Sequence, residues 1–505
     1  MIERELKISI DELLGALLSL EAARGAQILD SGGARGEEAR FLIAGCDPFE
    51  IIETRGQSAR VFRSGVMTEE RLESGGALRL LDERLASYRV PLDEASGWPA
   101  RGACIATFSY ELVHNFERLR SRRHAQTATN EEPDAALAFY DTLVIHDYAR
   151  SKTAVVSVKG RERLNQIWET INDAALVLKA TEEQPHDEQP SQSPLQESQS
   201  RLAAANVFNS PAGEAFSSAA TSNFTRQQYL AAVERIQEHI AAGDIYQANL
   251  TQQLRVALDS KLTPERIFLN LRRDHPASFG AFLRRRADTV ISASPERFLH
   301  VAPQADGERL IEAWPIKGTR PRGRNTIEDA RLRAELMESE KERAENVMIV
   351  DLLRNDLGRV CRYGSVAVRE LFTVQEHPTL FHLVSKVRGA LCAGVTAGDI
   401  LRAAFPCGSI TGAPKLRAME IIDALEPQPR GLSMGAIGYF SFDGAMDLNV
   451  AIRTMTIHQG IARFNVGGGI VADSVPAREY EESLTKARAL LRALSVNAPA
   501  QDEEH

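Results

Sequence analysis

The sequence has no long apolar run, no excess of basic residues and no paired cysteines, and each absence excludes a class of protein. No uninterrupted stretch approaches the roughly 18 apolar residues of a membrane-spanning helix. The opening MIERELKISIDELL lacks the basic-then-apolar pattern of an export signal. A net charge of -9 leaves no basic face of the kind nucleic acid requires. The five cysteines (Cys46, Cys104, Cys361, Cys392 and Cys407) show no CxxC spacing, so neither a zinc site nor a disulfide framework is suggested. The expectation is a reduced, soluble, cytoplasmic protein with no nucleic-acid and no membrane partner.

The chain's 505 residues, 43% of them hydrophobic, can bury one large core or two to three average ones. One segment stands apart: EEQPHDEQPSQSPLQESQS and the following SPAGEAFSSAATSN hold very few large apolar residues. Such a stretch cannot offset its ordering entropy, so residues 181–223 read as a flexible linker. It divides an N-terminal region (1–180) from a C-terminal catalytic region (224–495), and 496–505 read as a disordered tail.

Before the linker, ALAFYDTLVIHDYAR and KTAVVSVKG have strand character and RLNQIWETINDAALVLKA has helical period. After it, TRQQYLAAVERIQEHIAAG predicts a helix capped by Thr225 and closed by Gly243. TVISASPERFLHV, RLIEAWPI and ARFNVGGGIVA read as strands, whereas IEDARLRAELMESEKERAENVMIVDLLRND and REYEESLTKARALLRAL read as long helices. Strands and helices do not alternate regularly enough for a doubly wound parallel sheet. The pattern therefore predicts an α+β fold with large antiparallel sheets and outer helices.

Several residues carry possible chemistry. Glu342 and Glu345 share one face of a helix whose following run, VMIVDLL, is apolar nearly all round and predicts burial. Glu479 and Glu482 repeat the spacing, with Lys486 one turn on. Hard oxygens from two facing helices would suit Mg²⁺, although solvated helix-face acids would produce the same pattern. FPCGSITGAPK and NVGGGIVADS read as glycine-bearing turns that let an anion approach the backbone. Arg453 falls on a strand-like run and would need a carboxylate if it faced inward. His382 lies in phase with Leu380 and Val384 on an apolar strand face, where a histidine is ordinarily a core residue. Lys317, in WPIKGTRPRG, sits in an apolar, turn-forming stretch and is either solvated or deliberately placed.

Taken together, GDIYQANL, SPERF, PIKGTRPRG, ERAENVMIVDLLRNDLGRV, FHLVSKV, FPCGSITGAPK, GAIGYFS, IRT, GGGIVADS and EYEESLTKA resemble the motifs of the chorismate-utilising enzymes, in that family's order. ILDSGG, RFLIAG and FSYEL are similar to weaker N-terminal signatures of the ammonia-using members. The resemblance implies a large antiparallel β-sandwich with helices packed outside and the active site between the sheets. It also implies that Glu342, Glu345, Glu479 and Glu482 hold Mg²⁺ against the ring carboxylate of chorismate. Arg453 and the Gly467, Gly468 and Gly469 backbone would hold the enolpyruvyl carboxylate, and Ser409 and Lys486 would contact substrate.

Two positions discriminate among the members. Water-using members carry a lysine base where this chain has Gln247, and glutamine takes no proton at neutral pH, which implies ammonia as nucleophile. Anthranilate synthases typically read PIAGT, whereas PIKGT resembles the aminodeoxychorismate synthases. In those, Lys317 would form a covalent adduct, with Glu296 as the acid for the departing hydroxyl. That chemistry needs the neutral amine, favoured by burial or by the sequence neighbours Arg320 and Arg322. His382 matches an active-site position whose role is left open. Ser433 replaces a tyrosine that in many relatives contacts the enolpyruvyl carboxylate. The chain contains no amidotransferase-like Cys/His motif, so ammonia is expected from a separate glutamine amidotransferase subunit.

Overall fold

The computed structural model describes residues 2–33, 39–92, 97–119, 132–182, 220–376, 380–496 and 499. Most of the expected linker and tail therefore lies outside the described residues. Two twelve-stranded sheets, antiparallel throughout, make up the body. The α+β sandwich with outer helices is thus the observed architecture.

Strand Ala103–Phe108 illustrates how the layers form. Ile105 points into the apolar layer between the sheets, with Ile43, Ile145, Leu283 and Ile437. Its neighbours Cys104 and Ala106 point outward, into a core shared with Leu78 and Leu81 of helix Gly76–Ser87. Side chains alternate across a strand, so a strand covered on both faces is apolar at every position. The other sheet is covered by helices Ile10–Ser19 and Arg161–Glu182, whose Leu13, Leu17, Ile167 and Ile171 meet Ile28, Val144 and Val155.

The sequence regions on either side of the expected linker interlock. Strand Phe279–Arg284 pairs with Gln27–Asp30, and Ala436–Ser441 pairs with Ala103–Phe108. Each sheet therefore contains strands from both regions.

Three details of the scaffold depart from the sequence reading. TVISASPERFLHV is two strands, Thr289–Ser294 in one sheet and Arg297–Pro303 in the other. Pro295 lacks the N–H needed to continue a ladder, and the chain crosses between sheets there. The long helix expected over 327–356 is broken at Ser339 into Thr326–Glu338 and Glu340–Gly358. Ser339 caps the second, accepting the Glu342 N–H. That second helix is not buried all round: Ile349, Val350, Leu353 and Leu357 face the core, while Val347 is exposed.

Candidate active site

Glu296 occupies the crossover between the two sheets and is 5% exposed. Its Oε1 is buried without a partner, and the Ser409 hydroxyl and the Ile316 N–H lie near enough to favour the charged carboxylate. Burial raises its pKa from the ordinary 4.5 to about 7, with the positive charge of Lys317 opposing the rise. At neutral pH the group can therefore carry and donate a proton.

Lys317 lies on strand Ile316–Pro321, not in a turn. The register against strand Leu380–Ala390 shifts between Ile316 and Thr319, so Lys317 and Gly318 form a bulge. A bulge re-aims a side chain out of the regular alternation. Gly318 has φ 89°, and a Cβ there would lie 2.9 Å from the Glu342 carboxyl carbon. The Lys317 ammonium acts electrostatically on both Glu296 and Glu482 and has no hydrogen bond or ion pair among the described residues. The expected cationic neighbours are committed elsewhere: Arg320 pairs with Glu335 and Glu342, and Arg322 with Asp329.

Gly467, Gly468 and Gly469 lie inside strand Ile461–Ile470 and not in the expected turn. The glycines serve close approach. A Cβ on Gly467 would fall 1.9 Å from the Leu250 carbonyl, and one on Gly469 would fall 2.3 Å from the Gln247 amide nitrogen. Gly468 faces the acids, its Cβ position 3.4 Å from both Glu479 and Lys486 and 3.8 Å from Glu482. Strand Thr454–His458 pairs with this strand only as far as Arg463, leaving the glycine edge free of that neighbour. Gln247 begins strand Gln247–Ala257, is fully buried, and has neither amide atom hydrogen-bonded. Ser409 sits in the short helical turn Gly408–Ile410. The Asn249 N–H bonds the Thr411 carbonyl at 2.7 Å, tying that turn to the Gln247 strand.

The two acid pairs stand on helices Glu340–Gly358 and Pro476–Ala493, which come close enough for Lys341 of the first to act electrostatically on Glu479 and Glu482 of the second. They do not converge as a ligand set: among the described residues no group of three or more acids, histidines or cysteines is poised to hold a metal. Cations and hydroxyls partner them instead. Glu342 bonds Arg320 at 2.8 Å, Glu479 accepts from Ser474 at 2.8 Å, and Glu482 pairs with Lys486 at 2.8 Å. Burial and the charge of Glu482 raise the Glu479 pKa against the opposing Ser474 bond. Burial acts upward on Glu482 too, but Lys486 outweighs it and the net shift is downward. Glu342 Oε2 is buried without a partner, and Glu345 has none among the described residues. Buried Glu479, repelled by Glu482, and the unpartnered Glu342 Oε2 leave carboxylate oxygens with open acceptor capacity, so the donor chemistry present fits Mg²⁺.

His382 is buried opposite Thr319, with Nδ1 3.0 Å from the Thr319 hydroxyl. Arg453 is not on a strand: it occupies the bend between Met446–Val450 and Thr454–His458, at φ 49°. It has no carboxylate partner among the described residues, and burial lowers its pKa. A largely buried guanidinium without an anion is prepared for one from outside. The Ser433 hydroxyl accepts the Asn465 N–H at 3.0 Å, two residues before the glycines. Sequence reasoning missed Thr319 and Lys341. Thr319 is defined by register, and Lys341 acts on both Glu479 and Glu482 across the helix pair, neither of which spacing reveals.

Residues 37–492 match the family profile described as chorismate binding enzyme. The chain belongs to the chorismate-binding enzymes. Aminodeoxychorismate synthase component 1 of Klebsiella aerogenes is 37% identical over 93% of this chain and 93% of its own. Anthranilate synthase component 1 of Bacillus subtilis is 34% identical over 95% of this chain and 88% of its own. The crystal structure of anthranilate synthase component I from Streptococcus pneumoniae superposes with a TM-score of 0.69 at 27% identity, covering 90% of this chain and 93% of that one. For this chorismate-binding enzyme the substrate is a dianion. The Arg453 guanidinium, with no carboxylate partner among the described residues, and the glycine edge beyond the pairing of strand Thr454–His458 are groups that suit an anion. Among the described residues no helix is long and apolar enough to cross a membrane.

Proposed function

We propose that this chain is the chorismate-aminating component of an aminodeoxychorismate synthase. It would convert chorismate and ammonia to 4-amino-4-deoxychorismate, on the route to p-aminobenzoate and folate, through a covalent adduct on Lys317. The observation that carries this reading is Lys317 on its bulge beside Glu296, a buried carboxyl with a pKa of about 7.

Arg453 and the Gly467–Gly469 backbone hold the enolpyruvyl carboxylate, with Ser409 and Lys486 on the rest of the molecule. Glu342, Glu345, Glu479 and Glu482 would hold Mg²⁺, which when bound neutralises the ring carboxylate of chorismate. The neutral Lys317 amine attacks C2, the ring double bond shifts, and the C4 hydroxyl leaves as water with the Glu296 proton. Ammonia, oriented by the Gln247 amide, then attacks C4. The double bond returns and the C2–N bond breaks, its electron pair leaving on nitrogen so that Lys317 is again a neutral amine, while one proton from the new C4 ammonium restores Glu296. Gln247 offers a hydrogen bond but no base, which suits ammonia and not water. His382, bonded to Thr319, stands beside the lysine strand and orients the ring or a proton. A separate glutamine amidotransferase subunit would supply the ammonia in the cytoplasm.

The second reading is anthranilate synthase component 1, or an enzyme serving both pathways. The 34% identity to such a synthase favours it. Incubation of the purified protein with chorismate, Mg²⁺ and ammonium at alkaline pH distinguishes them. The expected product is 4-amino-4-deoxychorismate, and fluorescent anthranilate with pyruvate overturns the assignment. Without ammonia, intact-mass analysis is expected to find the protein heavier by chorismate less water, with the gain mapping to Lys317.

A further inference from the structure

Behind the site, and touching none of its substrate groups, lies a buried ion pair that the sequence reading did not single out. Arg430 and Glu426 are each 3% exposed. Arg430 meets Glu426 through two bonds, Nε to Oε2 at 2.9 Å and Nη2 to Oε1 at 2.7 Å, and its guanidinium rests on the Tyr110 ring. Its remaining donors are spent on backbone. Nη1 bonds the Ile410 carbonyl at 2.8 Å, and Nη2 bonds the Asn249 carbonyl at 2.6 Å. Glu426 Oε1 in turn accepts the Thr251 N–H at 2.7 Å and the Thr251 hydroxyl at 2.9 Å.

Each anchored residue adjoins a substrate group. Ile410 follows Ser409, and Asn249 lies two residues beyond Gln247 and opposite Gly469 in the ladder. Thr251 is opposite Gly467, and its hydroxyl also accepts from the Asn465 amide at 3.0 Å. One planar fork thus fixes the spacing between the Ser409 turn and the glycine strand. A buried pair of this kind costs heavily in desolvation, so its value lies in geometry more than in stability. On the N-terminal side Glu111 accepts the Arg430 and Gly431 N–H groups at 2.7 and 2.9 Å, holding the segment that carries the fork.

We infer that Arg430, with Glu426, is a positioning residue that sets Ser409 and the Gln247–glycine ladder in register for the transition state. This rests on the reading that Ser409, Gln247 and the glycine strand bind substrate. The test is a double-mutant cycle read as ammonium-dependent chorismate consumption. Arg430→Lys keeps the charge but loses the fork. It is expected to lower kcat about 100-fold with little change in KM for chorismate, because misplacement of about 1 Å has that effect. Thr251→Val keeps the strand shape and removes one bond to Glu426, with an expected loss of about tenfold. Since the clamp acts in part through Ser409, adding Ser409→Ala to either variant is expected to slow it by less than the product of the two single losses. Fully multiplicative losses, or wild-type kcat in a folded Thr251→Val, overturn the inference. If Arg430→Lys does not fold, Thr251→Val with Ser409→Ala carries the same cycle. Chorismate consumption is common to both aminations, so a different product overturns the functional reading without altering the cycle.

Discussion

In the proposed reaction Glu296 and Lys317 form one proton-handling unit: the acid must hold a proton when the amine has none. Glu296→Gln keeps the shape and one hydrogen-bond acceptor but cannot release a proton. It is expected to lower kcat by about 100-fold or more while chorismate still binds. In the wild type, at constant free ammonia, the pH profile is expected to bend near about 7, where Glu296 loses its proton, and Glu296→Gln is expected to lack that bend. A wild-type profile without an inflection near 7, or one that Glu296→Gln leaves unchanged, would remove Glu296 from the acid role. The same shift has a stability consequence. Because the folded-state pKa is raised, the protonated group's contribution is fully present below the unfolded value of 4.5 and is lost as pH rises toward about 7. Urea titrations at stepped pH should therefore show a decline in the wild type that Glu296→Gln lacks. Lys317→Ala is expected to abolish amination while Mg²⁺ and chorismate still bind, and unchanged turnover would make the lysine a bystander.

At the scale of elements, the glycine strand separates a structural requirement from a functional one. A Cβ on Gly467 meets backbone at 1.9 Å, so Gly467→Ala must displace the paired strand. It is expected to cost about 1–3 kcal/mol in thermal or urea unfolding. A Cβ on Gly469 meets the end of the Gln247 side chain at 2.3 Å, which can swing away. Gly469→Ala is therefore expected to keep near-native stability and lose ammonia-dependent turnover. Equal destabilisation by the two substitutions would show that both glycines serve packing alone. The break at Ser339 belongs to this scale as well. It gives the helix that begins at Glu340 its own N-terminus, and Glu342 lies in its first turn. Helical periodicity runs through Ser339 without signalling a break, because serine is tolerated inside helices and favoured at caps.

At the scale of the whole molecule, the two sequence regions complete one another's sheets. Residues 224–505 expressed alone would leave Phe279–Arg284 without Gln27–Asp30 and Ala436–Ser441 without Ala103–Phe108. Exposed edges of that kind aggregate. The fragment is expected to be insoluble alone and to be recovered as a folded complex when coexpressed with residues 1–182. A sharp unfolding transition from the isolated fragment would contradict this.

The sequence by itself determined the class of elements and the family, and it named the groups proposed to react. Strand alternation, helical period and the Thr225 cap are local, and the motifs are contiguous words whose residue types already limit the chemistry. Gln247 excludes a base at its position whatever the surroundings. Tertiary structure decided what depends on partners distant in the chain. It put Lys317 on a bulge through pairing with 380–390, gave Glu296 its proton by burying it at a sheet crossover, and spent Arg320 and Arg322 on acids from other segments. It also made the glycine run a strand, because Leu250 and Gln247 approach from 220 residues away in a ladder that no local pattern encodes. Protonation, close approach and register are properties of neighbours in space, and only folding supplies those neighbours.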